Sequence, residues 1–186
     1  MEDTNLTNHF LIAMPSLEDG NFSQSVTYIC EHNDNGALGI TINRLSDIQL
    51  GEIFQQLDIE CDDPAIRDQL VYVGGPVQQD RGFLLHSPPG NWESSLQVTD
   101  DICVTTSRDI LQAIASGEGP EDVIIALGYA GWGGGQLEYE MSENAWLSCP
   151  SSKDILFHTP VEKRWESAAR LLGIDLQLLS SDTGHA

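Results

Sequence analysis

Positive charge is scarce in this sequence. Eight lysines and arginines stand against 29 aspartates and glutamates in 186 residues, a formal net charge of −21. Neutralising the phosphates of a duplex takes a concentrated supply of Lys and Arg. Direct nucleic-acid binding is therefore not expected, and neither is adhesion to an anionic membrane surface. The acids are dispersed: their longest unbroken runs are doublets such as Asp62-Asp63 and Asp100-Asp101, the pattern of a solvated surface. A basic protein or peptide partner, or a small ligand, stays open.

Other absences narrow the class further. No apolar run approaches the ~18 residues of a membrane-spanning helix. The N-terminus, MEDTNLTNHFLIAMPS, has acids where a secretory signal needs positive charge, and its apolar run from Phe10 to Met14 is too short for one. The four cysteines, at 30, 61, 103 and 149, form no CxxC pair. The expectation is a cytoplasmic protein with reduced thiols, each a small buried hydrophobe. No internal repeat or low-complexity linker breaks the chain. Its length suits one domain over residues 1–186, ordered from about 8 to 176 with short polar tails, and burying about 70% of its extended-state surface. A monomer is the favoured state.

What is present reads as a mixed fold. HFLIAMP, stopped by Pro15, is a short buried strand. VTYICEH and ALGITIN flank the Asn-Gly step of NDNG, so residues 26–43 form a hairpin. In RLSDIQLGEIFQQLDI, Ser46 and Gln49 have capping-box spacing, and Leu50, Ile53, Phe54 and Leu57 make one apolar stripe of a helix. LVYVGGPV and GFLLHS are strands, with a Gly-Gly-Pro turn between them. SLQVT and ICVTTS pair around Asp100 and Asp101. Thr106 or Ser107 caps a helix that buries Ile110, Leu111 and Ile114 and ends at Gly117 and Pro120. DVIIALGY is a central strand buried on both faces. A short helix runs from Gly135 to about Met141, and AWLSC is a further strand. In TPVEKRWESAARLLG, Thr159 and Glu162 have capping-box spacing and Pro160 the first helical position. Val161, Trp165, Ala168, Ala169 and Leu172 are its buried stripe. The architecture expected is α+β: a single α/β sandwich with a largely antiparallel or mixed sheet and peripheral helices.

Five glycines fall within LGYAGWGGGQLEYEM, between an apolar strand and a helix, where many proteins hold phosphates. Gly128 and Gly133 have the outer spacing of a phosphate loop, but Gly134 and Gly135 stand where it needs Lys and a hydroxyl. Glu138 and Glu140 then add negative charge. Gly131 and Gly133 begin a dinucleotide fingerprint that Gln136 breaks. Asp154 lies at the distance of a ribose-binding acid, yet in a segment that reads as a helix start. These glycines instead suit positive φ and close backbone packing. With Tyr129 and Trp132 beside them, they also suit a cradle for a peptide or an uncharged ligand. Arg81, between two strands and next to Gly82, has the geometry to hold a carboxylate, and an internal Asp or Glu is its expected partner. Motifs for hydrolytic and metal chemistry are missing: no G-x-S-x-G, S-x-x-K or H-E-x-x-H occurs. Cys30 and His32, at i and i+2, share a strand face but are two ligands without a second pair. His9, His86 and His158 are isolated. No metal or cofactor is expected.

The blocks HFLIAMP, VTYICEHNDNGALGITINR, VYVGGPVQQDRGFLLH, LGYAGWGGGQLE and NAWLSCP occur in an order that resembles the AlgH/YqgE family of bacterial proteins, from about His9 to Leu172. The resemblance implies a compact cytoplasmic α/β sandwich, with a family name drawn from a genetic link to regulation of alginate synthesis in pseudomonads. It brings no catalytic residues or cofactor. The family's motif positions fall here on Gly74, Gly75, Pro76, Arg81, Gly82, Gly128, Tyr129, Ala130, Gly131 and Trp132. The run Gly133 to Gly135 is richer in glycine than relatives often are, which favours Gly128, Gly131 and Trp132 as the markers of function. Two functions follow. One is a binding or regulatory module whose shallow site is framed by the two glycine stretches and which contacts a protein or a small ligand. The alternative is a hydrolase-like enzyme with His86 or a cysteine in a cleft near Arg81.

Overall fold

The computed structural model describes residues 5–14 and 24–173. Pro15 and the polar segments at the two ends lie outside the described residues. In chain order the elements are β1 (His9–Ala13), β2 (Val26–Asn33), β3 (Gly36–Thr41), β4 (Leu45–Gln49), α1 (Leu50–Gln56), α2 (Pro64–Arg67), β5 (Leu70–Val73), β6 (Val77–Ser87), β7 (Ser95–Gln97), β8 (Cys103–Thr105), α3 (Arg108–Ala115), β9 (Asp122–Gly133), α4 (Gln136–Ser142) and β10 (Trp146–Pro150). A π-helical turn (Asp154–His158), a 3-10 turn (Val161–Lys163) and α5 (Arg164–Leu171) follow.

The strands form one curled sheet in the order β10-β1-β2-β3-β9-β6-β8-β7. Every pairing is antiparallel except that of β5, which lies parallel to β9 with Tyr72 opposite Ala126 and carries β4 on its other side. The mixed α+β class is the one the apolar pattern implies. β9, the central strand, has β3 and β5 along one edge and β6 along the other. One face of the sheet carries the largest core, with Phe10, Tyr28, Ile40, Leu85 and Ile124, closed by Ile155, Leu156 and Ala168 of the C-terminal turns and helix. The other face is covered in two places. Helices α1 and α3 bury Leu50, Phe54, Ile110 and Ile114 over β6 and β9, and α4 buries Leu137 against Trp132 and Trp146.

The hairpin over 26–43 forms, but a register shift between Ile29 and Glu31 breaks the two-residue alternation of β2. Cys30 therefore faces the main core. His32, two residues on, takes the N–H of Leu6 on Nδ1 at 2.9 Å and donates from Nε2 to Glu138 of α4 at 3.0 Å. The shared face expected for Cys30 and His32 does not exist.

Of the two expected capping boxes, the first moves and the second does not form. Residues 45–49 are strand, and Ser46 Oγ donates to Val71 O at 2.8 Å, tying β4 to β5. Helix α1 starts at Leu50, with Gln49 and Glu52 making the reciprocal box. At the C-terminal end Thr159 donates to Asp154 O, residues 161–163 tighten into a 3-10 turn, and the α-helix begins only at Arg164. Leu172 is 37% exposed, outside the buried stripe. Arg164, at the start of the helix, is buried instead, at 4% exposed. Its guanidinium donates to Ile42 O, to Thr159 O at 2.9 Å and to the Tyr72 hydroxyl at 3.1 Å, which anchors the helix to the sheet.

Candidate functional site

The two glycine stretches meet where the chain crosses over β9. Because β5 and β6 lie on opposite edges of β9, residues 74–76 pass over its face to connect them. Gly74 donates to Leu127 O and accepts from Thr41 N–H, both at 2.8 Å. A Cβ on Gly75 would stand 2.1 Å from the Tyr129 carbonyl carbon. One on Gly128 would stand 2.4 Å from Gly75 O, at a φ of +80° that L side chains rarely adopt. At this crossing backbone rests on backbone, and no side chain fits between. The strand does not end at Tyr129 as the glycines suggest. It continues to Gly133 and pairs with Gly36–Gly39 of β3, so the turn is confined to Gly134 and Gly135.

Beyond Pro76, which is exposed, β6 starts at Val77 opposite Tyr129, and its register shifts before Gly82. The intervening residues bulge outward, with Gln78 at φ 50° and Gln79, Asp80 and Arg81 exposed. This bulge forms one wall of a groove of about 480 Å³. Its floor is Leu84 of β6 and Ile125 and Leu127 of β9; Ile53 and Leu57 of α1 and Leu111 of α3 line its sides. Leu57, the last residue of the α1 stripe, is 36% exposed here instead of buried. Arg81 and Arg108 line the same groove. Arg81 lies 3.4 Å from both Gln78 Oε1 and Thr106 Oγ1 and 5.5 Å over the Phe83 ring. Among the described residues Arg108 reaches only the carbonyl of Asp58, at 3.5 Å. Among the described residues no carboxylate pairs with either guanidinium, so the internal acidic partner expected for Arg81 is absent there. Two carboxylates share the lining, Glu52 and Asp80. Glu52 Oε2 accepts the Gln49 N–H at 2.9 Å and caps α1.

The second glycine stretch borders a different depression. It is a shallow trough on the main-core side of the sheet, lined by Glu31, Leu38, Val77, Tyr129 and Gly131. Tyr129 stacks edge-on against Phe83 at 5.3 Å and keeps part of its ring exposed. Trp132 borders the trough, but its ring is 6% exposed. It packs edge-on against Trp146 and donates from Nε1 to Glu140 Oε1 at 2.9 Å. The ten residues singled out from the sequence therefore divide. Gly74, Gly75 and Gly128 build the crossover, with Pro76 at its corner and Ala130 in the core. Arg81 and Gly82 line the groove, while Tyr129 and Gly131 line the trough, with the buried Trp132 at its border. The two stretches touch through their backbones, yet Arg81 and Trp132 do not share a depression. The α1 and α3 walls were missed by motif reasoning. The signals were Leu57 at the end of a stripe and Arg108 as one of few cations.

Neither His86 nor a cysteine lines the groove. His86 is fully buried; Nδ1 donates to Pro88 O at 3.1 Å, leaving Nε2 to accept from Thr105 Oγ1 at 2.7 Å. Burial lowers its pKa from the ordinary imidazole value, so the neutral ring suits this network. Burial likewise raises the pKa of the Cys30, Cys103 and Cys149 thiols. Among the described residues no group of three His, Cys, Asp or Glu stands close enough to hold a metal ion. No helix among them is long and apolar enough to cross a membrane.

A family model, DUF179 (AlgH-like), matches residues 10–177. A UPF0301 protein of Thioalkalivibrio sulfidiphilus is 58% identical over 183 residues, covering 98% of both chains. One of Chromobacterium violaceum is 53% identical over 186 residues, covering 100% of both. The solution structure of AlgH from Pseudomonas aeruginosa is similar with a TM-score of 0.82 at 48% identity, over 97% of this chain and 95% of that one. A crystal structure of a Corynebacterium diphtheriae protein shares the fold, with a TM-score of 0.73 at 20% identity over 96% and 93% of the two chains.

Proposed function

The chain belongs to the AlgH-like family, and on that premise we propose that it acts as a binding module through the groove between α1, α3 and the β6/β9 floor. One observation carries this reading: a groove with an apolar floor beside two arginines that no carboxylate of the described residues holds. Pockets of about 300–1,000 Å³ with an apolar lining and a few polar groups are the usual form of ligand sites. The networks around His86 and the burial of three thiols favour binding over hydrolysis, because a general base or nucleophile must reach its substrate. A regulatory effect in a cytoplasmic setting passes through the bound ligand or a protein partner, since eight basic residues are a poor supply for DNA.

Gly82 gives a direct test. It lines the groove, and a Cβ there would meet nothing within 4 Å, so Gly82→Leu fills the groove from a position that tolerates a side chain. Untagged protein purified gently from its own cytoplasm and weighed by native mass spectrometry should carry a discrete additional mass or partner that Gly82→Leu loses. Additional mass retained in full by Gly82→Leu would place binding elsewhere, and the bare chain mass in both proteins would remove a tightly held ligand from this reading.

A further inference from the structure

We infer that the groove takes a small apolar monoanion: a hydrocarbon body on the Leu84, Ile125 and Leu127 floor and one anionic head, a carboxylate, between Arg81 and Arg108. This rests on the groove being the binding site and names what it binds. Two of only eight basic residues line this one groove. In a chain with 29 acids, each has, among the described residues, only neutral oxygens within hydrogen-bond reach, at 3.4–3.5 Å. A guanidinium is a planar fork suited to a carboxylate, and the Thr106 hydroxyl beside Arg81 adds one more donor. Two carboxylates also line the groove, Glu52, which caps α1, and Asp80, so an incoming anion has to seat its head group on the guanidiniums and away from both.

The charge of the whole chain selects between anionic ligands. At −21, the protein repels a partner in proportion to the negative charge it brings. An acidic protein segment with several carboxylates meets that repulsion many times over, whereas a single head group meets it once and then lies against two cations. The groove's volume of about 480 Å³ also matches a small molecule more closely than the wide surface of a protein interface.

The probe is sodium decanoate below its micellar concentration, compared with 1-decanol and decyltrimethylammonium as neutral and cationic chains of equal length. Binding is followed by calorimetry and by amide chemical shifts. The expected result is decanoate binding at least about tenfold tighter than decanol, with the largest shifts at Gly82, Leu111 and Leu127. An Arg81→Gln/Arg108→Gln variant should lose that preference while still binding the alcohol, and Gly82→Leu should lose both, each variant keeping wild-type circular dichroism. Equal affinity for the three chains, or a preference unchanged in the double glutamine variant, would overturn the monoanion and leave the groove reading intact. Binding that survives Gly82→Leu would overturn both. No binding of any chain would overturn this inference alone, with the groove still decided by native mass spectrometry.

Discussion

A Cβ on Gly75 would stand 2.1 Å from the carbonyl carbon of Tyr129, so the peptide at residue 75 lies directly on the backbone of the central strand. This contact lets a three-residue connection carry the chain from one edge of β9 to the other, and it sets the groove and the trough on separate surfaces. Gly75→Ala should cost about 3 kcal/mol, because neither backbone can yield without breaking the pairing of β5 or β6. Gly82→Ala, seven residues on with open space around it, should stay within about 0.5 kcal/mol of wild type. Urea denaturation of the two variants gives the comparison, and equal midpoints would mean that the crossing is looser than described.

The carboxylate of Glu140 organises the far side of the sheet. Its Oε1 accepts from Trp132 Nε1 at 2.9 Å and Trp146 Nε1 at 3.0 Å, and its Oε2 from Gln136 at 3.1 Å. Glu140→Ala removes the acceptor shared by both indoles and should lower stability by about 2 kcal/mol. Glu140→Gln keeps an oxygen in place and should lose less. Near-ultraviolet circular dichroism, which reports the packing of the two rings, should change in the alanine variant; an unchanged spectrum and midpoint would deny the carboxylate this role.

Acid should weaken the fold in a window set by His86. Its folded pKa lies below the value of about 6.5 that it has when unfolded. Between that value and the lower folded one, the unfolded chain takes up a proton that the native state refuses, so stability falls as pH falls. Asp101 and Glu138, whose carboxyl pKa values are lowered chiefly by hydrogen bonds, from Lys153 and from a backbone N–H respectively, add a loss of the same sign further down, below about pH 5. The melting temperature should drop between pH 7.5 and pH 5.5, and His86→Gln should flatten that segment. A slope of the same size in both proteins would assign it to other groups.

Of the four cysteines only Cys61 is not buried. A thiolate reagent such as Ellman's should label one thiol of the native protein quickly, none quickly in Cys61→Ser, and four thiols after denaturation. Rapid labelling of two or more native thiols would show that the sheet opens where it is described as closed.

Arg164 should tolerate no basic substitute. The guanidinium reaches the Ile42 and Thr159 carbonyls and the Tyr72 hydroxyl at once, and an ammonium group cannot span them. Arg164→Lys should therefore lose about as much stability as Arg164→Met, on the order of 3 kcal/mol; recovery by lysine would show that charge alone suffices.

Much of the fold was legible because it depends on neighbours in the chain. The Asn-Gly hairpin, the pairing around Asp100 and Asp101, the stripe of α3 and the apolar run of β9 all follow from turn chemistry and periodicity. Helix starts were less legible. Ser46 and Thr159 have capping-box spacing, but the Ser46 hydroxyl is engaged by β5 and the Thr159 hydroxyl by the π-helical turn, both brought to them by the fold. The site was half legible. Arg81 and Gly82 were singled out from the sequence, and they line the groove. Arg108 and Leu57, from segments 27 and 24 residues away in the chain, carry no local mark of sharing it.

The sequence by itself determined the family, the mixed sheet and the shortage of cations, and the burial of three of the four thiols, Cys61 being the exception, since each is a matter of residue type and short-range pattern. Only the tertiary structure decided what the glycines are for and where the arginines stand. A glycine required by backbone packing and one required by a ligand look alike in a string of letters. The difference lies in what occupies the space a Cβ would take, and at Gly75 and Gly128 that space holds the backbone of another segment.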